Sequence, residues 1–261
     1  MSDEDLDLAS AAEQARLIER KEVSPVDLVR AYLARIERWD SVLRSYITVY
    51  GDQALEQARR AEVEIAAGRY RGLLHGIPYG VKDQFCTRGV WTTLGSRIRV
   101  ENLDFDATVI ERMNAAGAIL LGKQNLNEFG KDGAVTFPYG QPRNPWNLEH
   151  TASSSSPGSA IATAAGLCSG SLGEDTGGSI RAPAAAVGVV GLRPTYGRVS
   201  RYGGVMYGWT NDTVAPMTRT VEDCALFLRA VAGHDRCSTG SIGARRVNRI
   251  SRRRAHPAAM N

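Results

Sequence analysis

The stretch GEDTGGSIR (residues 173–181) places two glycines directly before a serine, and an acid and a hydroxyl directly before the glycines. Because glycine lacks a Cβ atom, such a turn can point several backbone N–H groups at one position, as binding of a developing oxyanion requires. A simpler interpretation is a turn in which Ser179 caps a helix that begins at residue 180. A nucleophilic serine also needs a base, and the chain offers only four histidines for that role.

Those histidines give no sign of a metal or catalytic site. They form neither an HExxH motif nor any short His/Asp spacing, and no GxGxxG or Walker A motif accompanies them. The four cysteines are scattered without CxxC spacing, which argues against structural zinc and against a disulfide framework. The sequence therefore predicts no metal and no cofactor, in a reducing, cytoplasmic setting.

A lysine is the alternative base. Lys82 lies near the end of IPYGVKD (77–83), a segment that otherwise suits a buried strand, and burial lowers the pKa of a lysine toward neutrality. The alternative to a catalytic role is that Lys82 is simply a solvated side chain at a strand end. A second serine-rich segment, SSSSPGS (153–159), reads by itself as a polar loop.

The composition indicates an ordinary globular protein. Of 261 residues, 43% are hydrophobic and 23% are charged. No apolar run reaches the roughly 18 residues that a transmembrane helix needs. The acidic start, MSDEDLDLAS, is unlike a signal or transit peptide. We therefore expect no membrane partner.

The pattern of apolar residues predicts helices that alternate with buried strands. The predicted helices cover 8–21, 26–39, 52–67, 158–167 and 220–233, with Ser24-Pro25 and Thr220 as helix starts. The predicted strands cover 77–83, 118–122 and 187–194, and residues 126–158 are expected to be mostly loop. This alternation predicts an α/β fold in which helices cover the sheet.

Together these motifs resemble the amidase signature family of serine hydrolases. The resemblance rests on an ordered set of segments: HGIPYGVKD (75–83), GKQNLNEF (122–129), RNPWN (143–147), SSSSPGSA (153–160) and GEDTGGSIRAPAAAVGVVGLRPTYGRVSRYG (173–203). It extends from about residue 8 to 233, roughly the first half of such a domain. The resemblance implies a mixed β-sheet covered by helices and a chain that is truncated at its C-terminal end.

The family uses a triad of serine, cis-serine and lysine, and the resemblance assigns its members here. It implies that Ser179 is the nucleophile, that Lys82 is the base, and that Ser155, after a cis peptide bond, bridges them. It further implies an oxyanion hole and supporting residues. The oxyanion hole would consist of the backbone N–H groups of Thr176, Gly177 and Gly178. The supporting residues would be Ser156, Asp175 and Arg181.

The serine-rich loop departs from the family pattern, which is usually GGSSGGS. Here Ser153 and Ser154 replace glycines, and Pro157 replaces another, which fixes φ and removes one N–H group. Both hydroxyls that matter, those of Ser155 and Ser156, are retained. We therefore interpret the segment as a variant of the loop.

The last residues form a second departure. Residues 234–261 hold seven arginines and one acid, whereas residues 1–233 carry a net charge of −2. From 236 onward, arginine excess and lost periodicity predict a disordered or frameshifted tail, with 1–233 as the N-terminal half of the domain. An alternative reading frame past codon 235 that encodes family-like sequence would support this hypothesis. The alternative is a short natural protein with a basic tail.

Three functions remain open. The first is a stand-alone amidase that hydrolyses the C–N bond of a small-molecule amide, an interpretation that allows a homodimer. The second is the glutaminase component of the aspartyl/glutamyl-tRNA amidotransferase, which would require partner subunits. Ala182, where that component is expected to carry glutamine, favours the first. The third is an inactive remnant. Nucleic-acid binding would rest on the tail alone, which lacks interleaved aromatic residues.

Overall fold

The computed structural model describes residues 3–98, 103–131, 136–208, 210–238 and 240–241, with side chains from residue 6 onward. Of the predicted tail, 236–261, position 239 and all positions from 242 onward lie outside the described residues. The helices are α1 (Asp3–Leu8), α2 (Ala11–Glu19), α3 (Pro25–Leu43), α4 (Gly51–Ala66), α5 (Thr108–Ala115), α6 (Pro157–Ala164), α7 (Arg181–Val187) and α8 (Val221–Val231). The strands are β1 (Tyr46–Val49), β2 (Pro78–Lys82), β3 (Ile119–Gln124), β4 (Gly170–Asp175), β5 (Val190–Gly191) and β6 (Thr213–Thr218).

The predicted mixed sheet is confirmed. The six strands lie in the order β1-β3-β2-β4-β6-β5. The central pairs β3–β2 and β2–β4 are parallel, while β1, β6 and β5 pair antiparallel with their neighbours. Every residue of β2, β3, β4 and β6 is buried, because α4, α6 and α8 pack against these strands.

Two helices begin where their capping residues predict. Ser24 accepts from Asp27 N at 3.0 Å, directly before Pro25 as the first residue of α3. Thr220 accepts from Asp223 N at 3.1 Å in the same way at the start of α8. Local sequence therefore determined both helix starts.

The strands were less well predicted. The segment expected as a buried strand over 187–194 contains only the two half-buried residues of β5, because α7 runs to Val187 and a left-handed Gly188 ends it. Strand β4 was missed because it lacks β-branched residues and contains two glycines. Its Gly170 lies against Phe227 so closely that an added Cβ would come within 2.9 Å of that ring.

No helix in the described part of the chain is long and apolar enough to cross a membrane.

Candidate active site

The site lies where the parallel strands β2 and β4 end side by side. Val81 pairs with Leu172 in this ladder, so Lys82, the last residue of β2, lies at the same end of the sheet as Glu174 and Asp175, the last residues of β4. The carboxyl ends of parallel strands are the usual location of sites in open α/β sheets. Sheet topology thus brings a lysine close to two acids that follow it by about ninety positions in the sequence.

Lys82 is fully buried and points at the serine-rich loop. Its Nζ lies 2.8 Å from Ser155 Oγ, and the Ser154–Ser155 peptide bond is cis. Burial lowers the pKa of Lys82 below its ordinary value, and the nearby carboxylate of Glu174 offsets only part of this effect. The base candidate and the bridging serine are therefore in hydrogen-bond contact, and the lysine is biased toward its uncharged form.

Ser179 lies in the turn between β4 and α7 and is 4% exposed. Its hydroxyl makes no hydrogen bond to Ser155 or to any other group among the described residues. The alternative in which Ser179 caps the next helix is wrong, because Ile180 is the N-cap of α7 and the N–H groups of Ile180 and Arg181 donate to Asp175 instead of Ser179. The Ser179 hydroxyl is thus left available at the surface of the site.

The turn that precedes Ser179 presents free backbone donors. Within the described ranges, no carbonyl and no side chain accepts from the N–H groups of Thr176, Gly177 and Gly178. Gly178 has a φ of 141°, a backbone conformation that a side chain would strain. Unpaired N–H groups held close together are the arrangement that binds an anionic oxygen.

Asp175 and Arg181 hold this turn in place. Asp175 accepts from Arg181 Nε at 3.0 Å and from Arg181 Nη2 at 3.1 Å, and Arg193 Nη1 reaches it at 2.8 Å. Burial by itself would raise the pKa of Asp175, but the hydrogen bonds from the Arg181 side chain and from the N–H groups of Ile180 and Arg181 bring it below its ordinary value. Asp175 is therefore an ionised anchor that ties the start of α7 to the end of β4.

The variant serine loop adopts a backbone that its residues can reach. Ser153 has a φ of 61°, in the left-handed region that glycine occupies more easily. Pro157 is the first residue of α6, a position at which a helix needs no N–H donor from its own residue. Ser156 donates from Oγ to Glu174 O at 3.3 Å, which links the loop to β4.

Sequence reasoning missed Glu174 and Asp212. Glu174 is 1% exposed and lies 3.4 Å from Lys82 Nζ through its Oε2 atom. Burial raises the pKa of Glu174, with Lys82 acting in the opposite direction. Thr176 Oγ1 contacts both carboxyl groups, at 2.8 Å for Glu174 and 2.7 Å for Asp212. The signal in the sequence was the acid directly before Asp175, at the end of a segment that is otherwise uncharged.

The described residues contain no cluster of three or more His, Cys, Asp or Glu side chains that could hold a metal ion.

Comparison with known proteins identifies the family. The sequence matches the family described as Amidase over residues 27–252, and the chain belongs to this family. The match extends past residue 233, the predicted end of the family-like region, and that boundary stays a prediction.

The chain is similar to two kinds of characterised relative. The A component of the glutamyl-tRNA(Gln) amidotransferase from Methylococcus capsulatus is 50% identical over 226 residues, which cover 86% of this chain and 46% of that protein. A peptide amidase structure from Stenotrophomonas maltophilia shares 38% identity with a TM-score of 0.86, and the match covers 89% of this chain and 50% of that one. The structure of the corresponding amidotransferase component from Thermotoga maritima shares 34% identity with a TM-score of 0.77, and the match covers 92% and 50%. The chain thus spans about half the length of the curated relatives it matches.

Proposed function

We propose that this chain hydrolyses a carboxylic amide through an acyl-enzyme on Ser179, with Lys82 as the base and Ser155 as the bridge between them. The observation that carries the proposal is the 2.8 Å contact between Lys82 Nζ and Ser155 Oγ at a fully buried strand end. A buried lysine with a lowered pKa is better suited to act as a proton acceptor than a solvated lysine. Membership of the amidase family supports the same reaction class.

The proton path follows from these contacts. Ser179 Oγ attacks the amide carbonyl, its proton passes to Ser155 Oγ, and the Ser155 proton passes to Lys82 Nζ. The leaving nitrogen then takes a proton back from Lys82 through Ser155. The missing hydrogen bond between Ser155 and Ser179 is compatible with this path, because catalytic contacts in unliganded sites often tighten only when substrate binds.

The turn at 176–178 supplies the electrostatic part of the mechanism. In the tetrahedral intermediate, negative charge develops on the former carbonyl oxygen, and the three free N–H groups are its donors. Removing one such donor in other enzymes slows turnover by about a hundredfold or more. The acyl-enzyme then reacts with water, or with ammonia or another amine.

The test is the intact mass of the 261-residue chain after treatment with a small fluorophosphonate. We expect one adduct, mapped to Ser179, which disappears completely in Ser179→Ala and is lost or strongly slowed in Lys82→Ala. Ser41→Ala, which changes an exposed serine at the surface of α3, is the matched control and should retain the adduct.

Two results would overturn the proposal. An adduct on another serine would reassign the nucleophile. A folded sample that forms no adduct would favour the inactive remnant, in which the motifs are present but the active centre is not assembled. A folded sample is one with cooperative unfolding and a normal circular dichroism spectrum.

A second candidate is the glutaminase half-reaction of an amidotransferase, favoured by the amidotransferase relatives at up to 50% identity. The chemistry at Ser179 would be the same, with glutamine as the amide and ammonia as the product. Ala182 disfavours the glutaminase candidate, whereas the similarity to amidotransferase components favours it. Ammonia release from glutamine that requires added partner subunits would select the second candidate, whereas release from simple amides by the chain alone would select the first.

A further inference from the structure

The hydroxyl of Thr176 lies between two carboxyl groups. Its Oγ1 is 2.8 Å from Glu174 Oε1 and 2.7 Å from Asp212 Oδ1, and both acids are buried. A hydroxyl has one proton to donate, and an ionised carboxylate can only accept. With both acids ionised, one of these two short oxygen–oxygen contacts would hold no proton. A single additional proton on one acid satisfies both contacts.

The surroundings of the two acids decide which one holds that proton. Asp212 accepts from the backbone N–H groups of Tyr207, at 2.5 Å, and Gly208, at 2.9 Å. Hydrogen bonds from backbone N–H groups stabilise the ionised form of a carboxyl group. Glu174 has no backbone donor among the described residues, and burial raises its pKa. The backbone donors at Asp212 and their absence at Glu174 thus favour Glu174 as the acid that holds the proton.

The same proton controls the charge on Lys82. The carboxyl groups that face Lys82 are those of Glu174, Asp212 and Asp175, and the last is already paired with Arg181 and Arg193. Glu174, at 3.4 Å, is the nearest possible counter-charge. If Glu174 is neutral, the buried lysine loses this support for its ammonium form.

We propose that Glu174 is a positioning residue that stays a neutral carboxylic acid, donates its proton to Thr176 Oγ1, and thereby keeps Lys82 an uncharged amine. Thr176 in turn donates to Asp212. Glu174 keeps its proton throughout, while Lys82 takes a proton from Ser155 and returns it, so no further reactant is needed. The catalytic consequence rests on the proposed function, but the protonation state of Glu174 can be measured without turnover.

The first test is infrared difference spectroscopy of the full chain at neutral pH. We expect a carbonyl band of a protonated carboxylic acid that is lost in Glu174→Gln and retained in Glu37→Gln, an exposed control on α3. A band that survives Glu174→Gln and disappears in Asp212→Asn would place the proton on the other acid and overturn the proposal. Identical spectra of wild type and Glu174→Gln would also overturn the proposal.

A second variant covers the case in which Glu174→Gln does not fold. Thr176→Val removes the acceptor of the proposed proton and keeps the shape of the side chain. The acid band is then expected to shift to higher frequency, because its O–H group loses a hydrogen bond. An unchanged band would show that the acid does not donate to Thr176 and would contradict the proposal.

The pH profile of kcat/KM separates a neutral acid from an ionised one. A glutamine resembles the neutral acid, so in Glu174→Gln we expect the acid limb to stay at the wild-type pH. An ionised Glu174 would instead have been raising the pKa of Lys82, and the limb would move to lower pH in the variant, against the proposal. If no amide is hydrolysed by the wild type, the proposed function fails, while the infrared result still decides the state of Glu174.

Discussion

The protein buries two lysines on neighbouring strands, and their surroundings differ. Lys123 on β3 donates to Phe85 O at 2.7 Å and to Thr92 Oγ1 at 2.9 Å, and it forms an ion pair with Asp83 at 2.9 Å. Lys82 on β2 has one hydroxyl at 2.8 Å and one carboxyl at 3.4 Å. Neither side chain is exposed.

The difference shows that burial alone does not decide how well an ammonium group is solvated. Lys123 donates two hydrogen bonds and lies beside a carboxylate that is itself held by Thr93. Lys82 lacks such a set, so its charged form is poorly solvated. We therefore interpret Lys123 as a structural residue, and the proposal leaves Lys82 as the group that exchanges a proton.

The largest expected effect is the loss of activity in Lys82→Met. Methionine keeps most of the volume and removes the proton acceptor, so kcat/KM should fall by about 10²- to 10⁴-fold, as is typical for loss of a general base. The free energy of unfolding, measured by urea denaturation, should not fall in parallel. A variant that keeps near-normal rates would show that Lys82 is not the base.

Lys123→Met should produce the opposite pattern. It leaves the buried Asp83 without its counter-charge, which typically costs about 3–5 kcal/mol of folding stability. Urea denaturation of wild type and variant measures the difference. Adding Asp83→Asn to the variant is expected to recover part of the loss, because the uncompensated charge is then removed. A stable Lys123→Met would contradict the structural role.

The pH dependence of activity should follow the depressed pKa of Lys82. If the neutral amine of Lys82 is the base, as proposed, kcat/KM should rise with pH and level off once pH exceeds the pKa of Lys82 in the free enzyme. Since burial lowers that pKa, the plateau should begin below the ordinary lysine value of 10.5. Lys82→Met should remove this rise. A rise that reaches its plateau only at the ordinary lysine value would mean that the base is a solvated amine.

The smallest expected effect comes from a surface ion pair, which serves as the reference for both lysines. Arg16 and Glu222 lie 2.9 Å apart, but their side chains are 51% and 60% exposed. Arg16→Gln should therefore lower the free energy of unfolding by at most about 1 kcal/mol, and less at high salt. A loss as large as that of Lys123→Met would mean that exposure does not separate the two kinds of pair.

Much of the fold could be predicted from local sequence. The starts of α3 and α8 depend on Ser24 and Thr220 and on apolar residues within one helix, so short windows contain the necessary information. Strand β6 contains Pro216, which by local rules argues against a strand, yet it pairs along its whole length with β4. Such pairing depends on partners that are far away in the sequence, so a short stretch of local sequence cannot predict it.

The sequence by itself determined the order of the motifs, the residue types at Lys82, Ser155 and Ser179, and the glycines of the turn before the candidate nucleophile. Only the tertiary structure decided that Lys82 meets Ser155, which lies 73 residues away, and that Thr176 stands between two acids. The physical reason is that the charge on a buried group depends on distances and solvation set by the whole sheet. A sequence motif can name such a group, but its protonation state follows from the packing around it.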